Sequence, residues 1–446
     1  MVIGGDAAGA SSASQVKRAM KSGASVVMLE RQRWTSYSAC GIPYWIGGQV
    51  DGPDRLVARS PETHRSMGVL VRTQTEATKI DTRAQAVTAL DLGSGEEKVY
   101  EYDDLVVATG ATPVRPPLPG IDLERVHGIQ HLSDGLEVLE TLQQDVKRAV
   151  VVGAGYIGIE MAEAMVDRGL DVTIVDLAEQ PMRSLDPDMG ELIASEMEGM
   201  GIKYRGGEAV QALEGHSDGS VASVLTSNDS IPADIVVLGL GVRPNSRLAK
   251  EAGLPTGDFD GILTDDHQRV LGYDNVWSGG DCVEVLDRVT GRRVHSALGT
   301  HANKHGRVIG QNIGGADLVF PGIVRTAVSK VCDLEISRVG LGQAQAEELG
   351  YPVVAATIDS MTRAHYFPGS GMIRVKVVAE KGSGRMLGCQ IVGMAGAAKR
   401  IDIASTAIWN QMTVEEVTSL DLGYSPPFSP VWDPVQIAAR KVAGMV

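Results

Sequence analysis

Short apolar runs that close on a glycine turn or an acid alternate along this chain with stretches of helical period, the pattern of a strand-helix-strand protein. Val2-Ile3 leads through Gly4-Gly5-Asp6-Ala7-Ala8-Gly9 into a helical stretch over residues 11–21. The run Val26-Val27-Met28-Leu29 then closes on Glu30. The opening strand is unusually short, so either a residue or two is missing before it or it frays. Residues 51–103 contain alternating segments such as 86–90 around a Gly93-Ser94-Gly95 turn and predict a small β-meander. A buried strand returns at Leu105-Val106-Val107 and ends in the small-residue turn Ala108-Thr109-Gly110-Ala111; the proline-rich segment 113–119 marks a boundary.

The same unit recurs more regularly from Ala149. Val150-Val151-Val152 precedes Gly153-Ala154-Gly155-Tyr156-Ile157-Gly158, a helix follows with Glu160 and Glu163, and Val172-Thr173-Ile174-Val175 closes on Asp176. Such a turn points backbone N–H groups and a helix N-terminus at a pyrophosphate, and the acid about 20 residues on takes the ribose hydroxyls. The three glycines make the second unit a strong dinucleotide signature. Asp176 would repel a 2′-phosphate, which favours NADH, with NADPH kept as the alternative because Arg183 lies close. In the first unit Asp6 replaces the second glycine and brings a carboxylate near the phosphates, so on its own that unit is equally readable as a plain strand-helix turn.

Beyond the apolar stretch 233–239 and the turn 241–245, Val276-Trp277-Ser278 runs into Gly279-Gly280-Asp281, an acid suited to a polyhydroxyl chain such as a flavin's ribityl. His295, His301 and His305 lie on or near a helical stretch at 299–312 without a matching carboxylate set, so they read as packing or solvated residues. From about residue 322 alternating strands (373–378, 386–392) and a long helical segment (398–411) predict a separate α+β domain for binding or subunit contact. The division expected is a discontinuous first domain (1–112 and 242–321), a middle domain (113–241) and a C-terminal domain (322–446).

Composition agrees with an α/β protein of several domains: 446 residues, 43% hydrophobic, 53 glycines and only 4% aromatic. A formal charge of -15 argues against nucleic acid or an anionic membrane as the main partner. Met1 opens directly on the first strand, and no apolar run is long enough for a membrane span, so a cytoplasmic protein is expected. The four cysteines, at 40, 282, 332 and 389, form no CxxC pair and support neither a disulfide framework nor a zinc site. No metal is expected. Cys40, in Ser36-Tyr37-Ser38-Ala39-Cys40-Gly41-Ile42-Pro43-Tyr44, follows the first ribose acid closely enough to put a thiol beside a bound cofactor, where a thiolate can act as nucleophile and redox centre. Cys282 reads as structural, and Cys332 and Cys389 as core of the last domain.

Two dinucleotide units, the Ala-Thr-Gly return, the Gly-Gly-Asp turn and the C-terminal α+β domain together resemble the pyridine-nucleotide disulfide oxidoreductase family over essentially the whole chain. The lone cysteine in Ser-x-x-x-Cys-Gly-Ile-Pro-Tyr is similar to the single-cysteine branch, which holds coenzyme A disulfide reductases, NADH oxidases and peroxidases, and persulfide reductases. The resemblance implies two Rossmann-like domains, a C-terminal dimerisation domain, FAD and NADH as cofactors, and a homodimer. By the same resemblance Cys40 is the redox cysteine. Gly4, Gly9, Glu30, Arg31, Ala108, Thr109, Gly110 and Asp281 attend the flavin, and Gly153, Gly155, Gly158, Glu160 and Asp176 attend NADH. Tyr424, in Leu422-Gly423-Tyr424-Ser425-Pro426-Pro427-Phe428, and Tyr366 are the tyrosines delivered to the partner's cysteine. Ser11, Gln15, Arg18 and Ser36 are candidates for contacting a thiol substrate such as coenzyme A. Ala7 stands where peroxidase and oxidase relatives carry histidine. Ala39 replaces a common asparagine and Trp432 a common basic residue, which count against coenzyme A. The implied reaction carries electrons from NADH through FAD to Cys40, which reduces a small disulfide or persulfide. The alternatives are an NADH oxidase and, from another class, a thiol redox sensor.

Overall fold

The computed structural model describes residues 1–446, the side chain of Ser22 excepted. Two five-stranded parallel sheets and one five-stranded antiparallel sheet organise the chain. In the first sheet Val2–Ile3 lies at the centre between Val26–Leu29 and Leu105–Val107, flanked outside by Val69–Arg72 and Val276–Ser278. In the second, Arg148–Val152 is central between Asp171–Val175 and Ile235–Leu238, with Lys203–Arg205 and Val126–Gly128 at the edges. Strands covered on both faces must be apolar throughout, and Ala149 to Val152 are at most 5% exposed. Each buried valine or isoleucine of this kind contributes about 1.5–3 kcal/mol.

The two units share a further device, an antiparallel three-stranded meander inserted before the returning strand. In the first unit it comprises Thr75–Asp81, Ala86–Asp91 and Glu97–Glu101; in the second, Val210–Gly215, Val221–Thr226 and Ser230–Pro232. The expected meander over 51–103 is therefore too broad. Val69–Arg72 pairs in register with Val26–Leu29 in the parallel sheet, and Pro53–Leu56 and Pro61–Ser66 are helical. Alternation of buried and exposed residues in Val69–Arg72 reflects its edge position and mimics a meander strand.

The antiparallel sheet runs in the order Ala327–Val331, Leu334–Gly340, Met386–Gly393, Met372–Glu380, Val353–Met361, and its core packs on the helices Ile401–Trp409 and Pro434–Ala443. The helical segment expected over 398–411 is a short turn, Ala398–Arg400, followed by Ile401–Trp409. Cys389 is fully buried in this core. Cys332 is not. It occupies a left-handed turn (φ 58°) between two strands and packs, half-buried, against the core of the middle unit. No helix is long and apolar enough to cross a membrane.

Candidate active site

Both glycine turns are built alike. Gly4 and Gly153 have φ of 101° and 99°, a region costly for any side chain. A Cβ on Gly9 would meet the Gly4 carbonyl oxygen at 1.9 Å, and one on Gly158 the Gly153 carbonyl oxygen at 1.9 Å. The glycines thus let each helix N-terminus approach its strand. The Gly5 amide donates to Glu30 Oε2 at 2.6 Å, and the Ala154 amide donates to Asp176 Oδ2 at 2.6 Å. Each acid takes a second amide, Glu30 from Gln32 and Asp176 from Ala178, both at 2.7 Å. These bonds aim each carboxylate across its turn and leave lone pairs free for two vicinal hydroxyls. Burial raises the pKa of Glu30 above the usual carboxylate range.

The Ala-Thr-Gly return is clamped to the turn at 241–245. Thr109 Oγ1 donates to the Asn245 carbonyl at 2.7 Å, and Asn245 Nδ2 donates to the Thr109 carbonyl at 2.9 Å. Asp281 lies across from Asp6 and Cys40, near enough for its charge to act on both, and the space between them is the candidate cofactor cleft. Among the described residues no donor reaches its carboxylate, and burial pushes its pKa up, while His295 donates to its backbone carbonyl at 2.8 Å. Arg31 pairs weakly with Glu76 at 3.8 Å and borders an open groove of about 300 Å³ with Trp34, Gln74 and Ser133. The cradle, with its glycine-limited turn, oriented ribose acid and unengaged Asp281, fits a flavin dinucleotide. His305 turns Nδ1 to the Gly280 amide at 3.1 Å and sits edge-on to Phe320, a packing role.

Cys40 lies in the single helical turn Ala39–Gly41, exposed at the cleft. Its loop is docked on the first glycine turn. Ser36, at φ 46°, donates its amide to the Gly5 carbonyl at 3.0 Å, and the Tyr37 amide donates to Asp6 Oδ1 at 3.1 Å. The Tyr37 hydroxyl meets His131 Nδ1 at 2.8 Å, a partner supplied from the segment leading into the middle unit. After the thiol, the short helix Ile42–Gly47 buries Ile42, Trp45 and Ile46 against the helices Leu132–Leu142 and Tyr156–Asp167. The thiol therefore stands where the first and second units meet. Protein walls, then the acids Glu160 and Asp281, hold its pKa above the ordinary value, so the polypeptide alone favours the neutral thiol.

Glu160 is held by the third unit. Ser329 Oγ donates to Glu160 Oε1 at 2.7 Å, and Lys330 Nζ pairs with Glu163 at 2.5 Å while lying 5.8 Å from the Tyr44 ring centroid. Burial raises the Glu160 pKa, opposed by the Ser329 bond. Neither Ser329 nor Lys330 is legible as a site residue from the sequence, because each acts through a contact more than 160 positions away.

The other expected residues divide. Ser11 donates to Asn303 at 2.9 Å and Gln15 accepts from Gln311 at 2.9 Å, so both join the first helix to Gly299–Ile313; Arg18 is exposed. Ser36 Oγ lies 3.0 Å from His64 Nε2. Tyr366 and Tyr424 are brought side by side, 66% and 49% exposed, and burial with the neighbouring Tyr366 raises the Tyr424 pKa. Cys282 is enclosed, its sulfur 3.5–3.6 Å from the Gly279 and Val107 carbonyls and the Ser278 hydroxyl.

Two nucleotide cradles meeting at one accessible thiol, with an antiparallel domain behind them, define a flavin- and nicotinamide-dependent oxidoreductase. Residues 1–306 match the pyridine nucleotide-disulphide oxidoreductase model and residues 326–434 the dimerisation domain of the same family. The chain belongs to the pyridine nucleotide-disulphide oxidoreductase family, whose members depend on FAD and NAD(P)H. It is similar to an NADH oxidase of Methanocaldococcus jannaschii, at 36% identity over 99% of this chain and 97% of that protein. It is likewise similar to an NAD(P)H coenzyme A polysulfide/persulfide reductase of Pyrococcus horikoshii, at 37% over 99% and 97%. The solved NAD-dependent persulfide reductase of A. fulgidus matches with a TM-score of 0.96 and 37% identity, over 100% of this chain and 83% of that one.

Proposed function

We propose that the protein is an NADH-dependent flavoprotein reductase of a small disulfide or persulfide, with Cys40 as its redox centre. The observation that carries this reading is one exposed thiol at the junction of the two cradles, while Cys282 and Cys389 are sealed and Cys332 is half-buried in a hairpin turn. Cys40 attacks the substrate disulfide, forms a mixed disulfide and releases one thiol, a cycle that calls on no second cysteine. Two electrons and a proton, originating in NADH, then free the second thiol and restore Cys40. For a persulfide the products are the thiol and hydrogen sulfide.

The flavin would supply the two-electron relay between nicotinamide and thiol. Gly4, Gly9, Glu30, Arg31, the 108–110 return and Asp281 would hold it; Gly153, Gly155, Gly158, Glu160 and Asp176 would hold NADH, with Asp176 disfavouring a 2′-phosphate. In a homodimer, Tyr424 and Tyr366 of each C-terminal domain face the other protomer's Cys40, where a phenol can protonate a departing thiolate. Their exposure supports this, together with that of Phe428 (77%), Val431 (68%) and Trp432 (46%), an apolar patch that a subunit contact would cover. The substrate class includes coenzyme A disulfide and persulfide.

A second reading, an NADH oxidase, is favoured by the similarity to the Methanocaldococcus protein of that name and opposed in its peroxide form by Ala7. Anaerobic NADH consumption with coenzyme A disulfide, coenzyme A persulfide, small disulfides and polysulfide separates the two. Rapid turnover with one acceptor, lost in Cys40→Ser, is expected. Turnover only when oxygen is admitted would leave the oxidase.

A further inference from the structure

The two glycine turns share the first and third glycines of the fingerprint and part at the second, where the first unit has Asp6 and the second Gly155. Both residues precede their helices in extended conformation, φ -98° and -79°, so the backbone itself does not demand glycine there. What glycine provides is room: a Cβ on Gly155 meets only the Gly239 carbonyl oxygen, at 3.7 Å, and otherwise points into the space a pyrophosphate takes. At the corresponding position Asp6 puts a carboxylate at the N-terminus of the first unit's helix, Ala7–Met20.

An aspartate at a helix N-cap ordinarily accepts the first free amides of its own helix. Asp6 makes no such bond; its Oδ1 takes the Tyr37 amide at 3.1 Å, three residues before Cys40. The amides of Ala8 and Gly9, which the Asp6 side chain does not engage, are thereby left for a phosphate, and the redox loop is pinned to the cradle. The charged groups acting on Asp6 are themselves acids: Glu30 at the end of its strand and Asp281 across the cleft. From the redox loop comes the Tyr37 amide and from its own helix the Ala7 amide, and among the described residues no cation forms an ion pair with Asp6. Adding a diphosphate would put two further negative charges beside it.

We infer that flavin binding takes up one proton at Asp6, which remains neutral in the holoenzyme while its carbonyl oxygen holds the Tyr37 amide. The proton comes from solvent and converts the carboxylate to the acid as the diphosphate enters. Burial and the two neighbouring acids already raise the Asp6 pKa to about 7 without the diphosphate. Above that value and below the higher value in the complex, the FAD dissociation constant should rise toward tenfold per pH unit, because each binding event requires one proton.

The inference rests on the flavin assignment, and the test separates the two. Holoenzyme is diluted at a series of pH values from about 6 to about 9, and released FAD is read by its fluorescence. Wild type is expected to bind progressively more weakly above about pH 7. Asp6→Asn keeps an acceptor for the Tyr37 amide and is expected to show no such slope; Asp6→Ser serves the same purpose should the amide variant not fold. A pH-independent wild-type dissociation constant, or an equal slope in the neutral variants, would overturn the inference while leaving the flavin site intact. Absence of bound FAD at every pH would overturn the flavin assignment and the inference with it.

Discussion

Replacing Arg400 by methionine should cost about 4 kcal/mol and release both tyrosine loops. The guanidinium and its partner Asp433 are each 8% exposed, with Arg400 Nε donating to Asp433 Oδ2 at 3.0 Å. The remaining donors go to the Phe428 carbonyl at 2.8 Å and to the carbonyls of Gly396 and Thr362. One side chain thus joins the segment before Tyr366, the segment after Tyr424 and the start of the final helix. Breaking a buried pair from one side costs about 3–5 kcal/mol because the other charge is stranded. Asp433 keeps its capping bond from the Val435 amide at 2.9 Å, which softens that term. Three carbonyls losing a donor would add about 1 kcal/mol each, but water entering at the exposed Phe428 edge and the buried methionine side chain offset most of this, leaving a total of about 4 kcal/mol. Urea unfolding of Arg400→Met, Asp433→Asn and the double variant measures the coupling, expected at about 2 kcal/mol or more. A loss below about 1 kcal/mol, or strict additivity, would refute the clamp. Under conditions where the variant remains folded, kcat should fall more than the NADH KM changes, since the nicotinamide cradle lies elsewhere.

Asp176→Ala leaves the Ala154 and Ala178 amides without their acceptor; the NADH dissociation constant should rise about tenfold, and the preference over NADPH should shrink, both read by fluorescence titration. Glu160→Gln removes a negative charge that holds the Cys40 thiol pKa up, so the alkylation midpoint of Cys40, followed on its peptide by mass spectrometry, should move to lower pH; an unchanged or higher midpoint would contradict the charge argument. Gly4→Ala forces a side chain onto φ 101° and brings its Cβ within 2.0 Å of the Ala108 carbonyl oxygen, so the purified protein should lack the flavin absorption near the visible blue.

The two-unit α/β plan and the antiparallel third domain were legible because their signals are local: a strand, a glycine turn, a helix and an acid lie within about 30 residues, and each glycine answers a backbone constraint set by its neighbours. Cys40 could be singled out for the same reason, as a thiol in a turn a few residues beyond Glu30. The second meander and the true limits of the first were not readable, since pairing of Val69–Arg72 with the parallel sheet depends on a partner 43 residues earlier, and edge strands carry the same alternation as meander strands. Tertiary structure alone decided where Asp6 points, because its helix amides and the Tyr37 amide compete for one carboxylate and only the docked loop settles the choice. It likewise decided that Ser329 and Lys330 attend Glu160 and Glu163, that Cys332 leaves its own domain's core, and that Arg400 ties the two tyrosine segments. Composition and local pattern determine which backbone conformations are affordable; which charges face one another across domains is set by packing between segments hundreds of residues apart, and no local pattern encodes it.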